Sequence, residues 1–278
     1  MKSKIEIQTL PLFPVLEEKL IELLSGLTEE EWQVQTVAKL WKVKDVAAHL
    51  LDGNLRGLSI SRDGYFGEKA ADIHSYQDLV NFLNGLNLSW TSATKRLSPQ
   101  VLISLLASSG KEYIQHLETL DLYADAIFSV AWAGQKTSPN WFHISREYTE
   151  KFLHQQQIRD AVDKPGIMTK DLFYPFLDTM MRAFPYTFRE KDAIQGTLVG
   201  IEITTEIGGI WVIERKESKW ELVWDLNREL ASKVTLTPEI AWKLFSKSWR
   251  PEEVRHLVSI EGDQNLGKHA LTLLGFMA

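Results

Sequence analysis

Over the first 160 positions the apolar residues recur at helical spacing. Leu16, Leu20, Leu23 and Leu27 form the first stripe, behind Pro14 as a first-turn residue. Thr28-Glu29-Glu30-Glu31 has the form of a capping box and predicts a short helical turn. A second helix is predicted over 43–61. Arg62-Asp63-Gly64-Tyr65-Phe66-Gly67 ends it and opens a loop reaching Ser75. Ser75, with Asp78 three residues on, starts a third helix with the stripe Leu79, Leu83, Leu86, Trp90 and Ala93. Ser98-Pro99 starts a fourth, carrying Leu102, Leu105, Leu106, Tyr113, Leu117 and Leu120. Ser138-Pro139 is the start signal for the last, which holds residues 145–160 with no internal Gly or Pro. The long amphipathic helices before Asp160, this one the last, read as a bundle.

The period changes after Lys164-Pro165-Gly166. One helix is predicted near 170–184, and then alternation takes over. Val199, Ile201 and Ile203 alternate with Gly200, Glu202 and Thr204; Trp211 and Ile213 alternate with Val212 and Glu214; Trp220, Leu222 and Trp224 alternate with Glu221, Val223 and Asp225. Turns at Gly208-Gly209 and at 216–219 join these runs into an antiparallel meander, with 233–236 as a fourth strand. Pro238 starts a helix with Ile240, Ala241, Leu244 and Phe245, and Gly262-Asp263 begins a final helix running to the C-terminus. The pattern predicts an α+β chain, with a helical bundle over 1–165 and a small α+β domain with an antiparallel sheet over 166–278.

Composition narrows the chemistry. The chain has 278 residues, 44% of them hydrophobic, which is enough for a sizeable core. A net charge of −6 argues against nucleic acid or an anionic membrane as partner. No apolar run reaches the length of a membrane span, and the N-terminus lacks the apolar region of a secretory signal, so a cytoplasmic location is expected. There are no cysteines, so any thiol chemistry needs a small-molecule thiol. The ten tryptophans read as core and interface residues. No P-loop or Gly-rich dinucleotide fingerprint is present.

Glu150 and His154 are four residues apart and project from one helix face; Glu147 lies a turn earlier. His49, on the second helix, offers a third ligand. Two histidines and a glutamate leave one coordination position open, which is the arrangement of a catalytic zinc rather than a structural one. The same residues also read as surface pairs, Glu147 with Lys151, Glu150 with a charged His154 and Arg146 with Glu150, and His49 as a core histidine. Asp52 and Arg56 continue the His49 face. Arg56 either binds a substrate carboxylate or pairs with Asp52. The connection from Leu120 to Asn140 contains Phe128-Ser129-Val130-Ala131-Trp132-Ala133-Gly134 and reads as a pocket wall or lid, or as a loop pinned to the bundle end by Phe128 and Trp132.

Trp41-Lys42-Val43-Lys44-Asp45-Val46-Ala47-Ala48-His49-Leu50-Leu51 resembles the second-helix motif of DinB-like metal proteins. Val130-Ala131-Trp132-Ala133-Gly134 and residues 147–160, which read Glu-Tyr-Thr-Glu-Lys-Phe-Leu-His-Gln-Gln-Gln-Ile-Arg-Asp, are similar to the mycothiol-dependent maleylpyruvate isomerase family. The resemblance covers essentially the whole chain. It implies a DinB-like four-helix bundle followed by a domain akin to sterol carrier proteins. The family's metal ligands fall on His49, Glu150 and His154, which become the catalytic and metal residues by this resemblance. Lys42 departs from the small hydroxyl residue common after that tryptophan, which touches the helix cap and not the metal site. The family also implies arginines for substrate carboxylates; Arg56 is the first-domain candidate for substrate binding.

The resemblance implies a metal-dependent enzyme, with zinc as the expected divalent ion. Its partners are an electrophilic substrate and a low-molecular-weight thiol, mycothiol or a similar sugar thiol. The thiolate would add to the cis double bond of an activated diacid; rotation and elimination would give the trans isomer, and keeping the adduct would give S-transfer. Two alternatives stay open: a non-catalytic metal- or small-ligand-binding protein, and a hydrolase working through metal-bound water. The residues do not choose between isomerase and transferase, name the thiol or the substrate, or give the oligomeric state.

Overall fold

The structure is a computed structural model, and it describes residues 7–67, 73–224 and 228–276. It divides into two compact units. The first holds the chain up to Ile127 together with Glu150–Ile167, and the second holds Phe128–Thr149 together with the chain from Met168. The connection expected at the bundle end thus groups, from Phe128 on, with the second unit.

In the first unit, α1 (Phe13–Ser25) buries Leu16, Leu20, Leu23 and Leu24. The capping box after it forms reciprocally: the Thr28 N–H donates to Glu31 Oε2 at 2.8 Å and the Glu31 N–H to Thr28 Oγ1 at 3.2 Å. Helix α2 spans Val43–Gly57 and continues as a π-helical turn over Leu58–Arg62. Lys42 offers no side-chain cap, so Asp45 reaches back and accepts the Lys42 N–H at 3.0 Å. Helix α4 (Pro99–Glu118) buries Leu102, Leu106, Tyr113 and Leu117, while Leu105 stays 40% exposed.

Helix α3 (Tyr76–Thr94) starts at the Ser75 cap, as the sequence predicts, and of its expected stripe Leu79, Leu83, Leu86 and Trp90 are half-buried, with Trp90 packed against the core. Its buried residues are Asn87, Thr91 and Thr94, and Ala93 is exposed. Thr91 and Thr94 satisfy their hydroxyls on their own helix, donating to Asn87 O and Trp90 O. With its hydroxyl bonded internally, a threonine presents mainly a methyl group, so Thr91 and Thr94 can be buried beside the apolar stripe. Helix α5 (Asn140–Ala161) begins where Ser138-Pro139 placed the start; residues 140–149 belong to the second unit and 150–161 to the first.

In the second unit, Ala131–Ala133 forms a 3₁₀ turn closed by Gly134, whose φ of +76° favours glycine. Trp132 is buried edge-on against Phe142 at 6.1 Å, whereas Phe128 is exposed. Helix α6 (Lys170–Met180) precedes the short α7 (Phe184–Thr187). Strands β1 (Leu198–Ile203), β2 (Gly209–Arg215) and β3 (Trp220–Val223) form the expected antiparallel meander. The fourth strand breaks that pattern. β4 (Ser232–Leu236) pairs with β1 in parallel, Ile201 opposite Val234, and carries an unforeseen antiparallel β5 (Ser259–Gly262), giving the order β3-β2-β1-β4-β5. Asp225, expected to extend β3, lies outside the described residues. Helices α8 (Pro238–Phe245) and α9 (Pro251–Val254) lie between β4 and β5, and α10 (Gln264–Ala270), capped by Asp263, stops short of the C-terminus.

The fold is α+β, a helical N-terminal region followed by a mostly antiparallel five-stranded sheet. Among the described residues no helix is long and apolar enough to cross a membrane.

Candidate functional site

Helix α2 presents His49 because the rest of its turn is buried. Val46, Ala47, Ala48, Leu50 and Leu51 are all within 3% of full burial, which leaves His49 at the edge of the core. Trp90 Nε1 donates to Ala48 O at 2.7 Å beside it. The loop before α2 fixes a second aromatic. Trp41 O accepts from Thr36 N at 3.2 Å, Thr36 Oγ1 at 2.7 Å and Gln35 Nε2 at 2.8 Å. This clamp lays the Trp41 ring beside His49, 4.7 Å between centroids, and 5.9 Å from His154.

Helix α5 supplies the other two groups. His154 Nε2 lies 3.5 Å from Glu150 Oε2 across one helical turn. The His49 and His154 rings meet edge to face at 4.6 Å. One donor atom from each of His49, Glu150 and His154 lies within 4.8 Å of the others. All three residues belong to the first unit. His154 is buried, and His49 and Glu150 are half-buried.

The electrostatics suit ligation. Burial, then the neighbouring His154, Arg56 and Lys151, push the His49 imidazole well below its usual range, so it stays neutral at neutral pH, the form that binds metals. His49 Nδ1 is buried with no hydrogen-bond partner among the described residues. Two imidazoles and a carboxylate with donor atoms this close, one of them on a histidine that keeps an unpartnered ring nitrogen, fit a divalent ion.

Arg56 lies on the same helix face and pairs with Asp52, Nε to Oδ2 at 2.8 Å. Burial raises the Asp52 carboxyl, and Arg56 pulls it back down. The Arg56 side chain keeps 36% of its surface exposed. Glu147 and Arg146 pair with each other at 2.5 Å in the second unit. Lys151 donates to Asn54 Oδ1, and Asn54 Nδ2 donates to Ser109 Oγ at 3.1 Å, so a buried polar chain links α5, α2 and α4.

Three contributors escaped the sequence reading. Trp41 stood inside the second-helix motif, but its place over both imidazoles depends on the Thr36 and Gln35 clamp. The Lys151–Asn54 contact joins residues far apart in sequence. Gln157 sits three residues after His154 and bonds its Nδ1 at 2.9 Å; the i,i+3 spacing was a readable signal.

The family model described as the mycothiol maleylpyruvate isomerase N-terminal domain matches residues 13–159, just over half of the chain. The chain belongs to this family. His49, Arg56, Glu150 and His154 all fall inside the match. A crystal structure of the mycothiol-dependent maleylpyruvate isomerase overlays with a TM-score of 0.53 at 13% identity, covering 89% of this chain and 90% of that one. A mutant of the isomerase overlays at 0.55 and 11% identity, covering 93% of both chains. At these identities the likeness establishes the α+β fold of the family member described here. No curated protein matches.

Proposed function

We propose that the chain is a metal-dependent enzyme that uses a low-molecular-weight thiol, acting as a maleylpyruvate-isomerase-like cis–trans isomerase or as a thiol S-transferase. The observation that carries the reading is the convergence of His49, Glu150 and His154 donor atoms within 4.8 Å, inside the family match. These three residues would hold the ion, with zinc as first choice for two imidazoles and a carboxylate. A bound divalent ion lowers the pKa of a small thiol and favours the thiolate at neutral pH.

The chain's own residues do the rest. A neutral His49 keeps one ring nitrogen available without first shedding a proton. The Trp41 ring walls one side of the imidazole pair and shields it from water. The half-exposed Arg56 guanidinium supplies a cation for a substrate carboxylate, held in place by Asp52. The chain has no cysteine, so the sulfur has to come from the added thiol, mycothiol or another sugar thiol.

The experiment is a screen of small thiols against electrophilic substrates, unsaturated diacids among them, with zinc-loaded protein. Turnover should need thiol, saturate with it and vanish in His49→Ala. Arg56→Ala should raise KM for a diacid about tenfold with a smaller change in kcat, as expected for loss of a charge-assisted contact. Thiol-free turnover that also vanishes in His49→Ala would replace this reading with hydrolysis by metal-bound water. Metal binding without product from any thiol would make the protein a binder.

A further inference from the structure

An imidazole ligates a metal through one nitrogen, and the hydrogen bond made by the other decides which one is available. His154 Nδ1 lies 2.9 Å from Gln157 Oε1. A carboxamide oxygen only accepts, so this contact requires the proton to sit on His154 Nδ1. The lone pair is then on Nε2, and Nε2 is the nitrogen that faces Glu150 Oε2 at 3.5 Å. Tautomer and ring orientation agree with each other and with the candidate metal position.

Gln157 is placed to enforce this. It is 4% exposed and His154 is 5% exposed, so water does not compete freely for Nδ1. Both residues lie on α5, where a three-residue spacing puts them on one face a turn apart, and neighbouring Ile158 anchors that turn in the bundle core. We propose that Gln157 is a positioning residue: its side-chain oxygen locks His154 in the Nδ1–H tautomer and so presents Nε2 to the metal. This rests on the metal reading of His49, Glu150 and His154.

The chemistry of the acceptor adds a second consequence. A carboxylate at this place would raise the basicity of the ligating imidazole, whereas a neutral carboxamide orients it without adding charge. Gln157 therefore leaves the bound ion more electrophilic than a carboxylate partner would, which favours a strongly polarised thiol.

The test is zinc affinity by chelator competition on the full chain, together with the visible spectrum of the cobalt-substituted protein. The variants are Gln157→Leu, which removes the acceptor, and Gln157→Glu, which keeps it. Gln157→Leu should weaken zinc binding by about 10–100-fold and change the cobalt spectrum. Gln157→Glu, which still accepts from Nδ1, should bind zinc at least as tightly as wild type. If Gln157→Leu does not fold, Gln157→Met, of similar length but without the oxygen, takes its place. An acceptor-free variant that binds zinc like wild type, or a loss that Gln157→Glu does not repair, overturns the positioning role and leaves the metal site standing. Wild-type protein that takes up no zinc overturns the metal reading and this inference with it.

Discussion

His154 Nε2 stands 3.5 Å from Glu150 Oε2, one turn along a single helix, and His49 meets the pair from another helix. The first spacing is set by helix geometry. The second depends on how α2 packs. Leu51 on α2 is fully buried in the core two residues beyond His49. Leu51→Ala should cost about 2–4 kcal/mol in denaturant unfolding, and it should also weaken zinc binding although Leu51 touches no metal. Full stability loss with unchanged zinc affinity would show that the third ligand does not depend on core packing.

Trp41 tests the same coupling from the loop side. Its half-buried ring rests against the core and both imidazoles. Trp41→Ala should destabilise the first unit by about 2 kcal/mol, less than a fully buried tryptophan, and Trp41→Phe by less. Urea unfolding of the three proteins gives the ranking.

His143 gives a pH dependence in the second unit. It is 7% exposed, and burial holds its pKa at about 4, with Glu147 pulling up and Arg146 pushing down. The folded pKa lies below the unfolded one, so the unfolded chain binds the extra proton. The contribution is present in full above the unfolded value and is lost as pH falls from about 6.5 to about 4. Between pH 7 and pH 5 this group alone removes about 2 kcal/mol. His143→Gln should flatten the stability–pH curve in that window by this amount, whatever its effect at pH 7.

Asp178 is the polar keystone of the sheet unit. Oδ1 accepts from Trp211 Nε1 at 2.8 Å, and Oδ2 pairs with Arg182 Nη2 at 2.9 Å. Trp211 is fully buried. Asp178→Ala removes the acceptor from a buried N–H and from a guanidinium that is 14% exposed, and should cost about 2–4 kcal/mol by thermal or denaturant unfolding.

Local signals carried most of the fold. Ser75, Ser98, Asp263 and the Thr28–Glu31 box cap the elements they were read to cap, because capping depends on residues three apart. What stayed hidden depended on partners distant in the chain. β5 reads Ser-Ile-Glu-Gly, with a single apolar residue, and its pairing with β4, which sets Ile260 opposite Val234, leaves no mark in its own pattern. Alternation predicted β4 but not its parallel partner β1, since period alone carries no direction. On α3 the most buried residues, Asn87, Thr91 and Thr94, are polar and lie beside the apolar stripe, so hydrophobic period alone did not single them out. At the site, residue types and spacing pointed to His49, Glu150 and His154, and family resemblance gave them their roles. The Trp41 clamp and the hydrogen-bonded partner of His154 needed coordinates.

The most direct test is elemental analysis of untagged wild-type protein beside His154→Ala, with circular dichroism on both. The wild type should carry or take up about one zinc per chain, and the variant should lose it while keeping its helical spectrum. Full metal occupancy in folded His154→Ala, or a wild type that neither carries nor takes up a divalent ion, would contradict the assignment of His49, Glu150 and His154 as a metal centre.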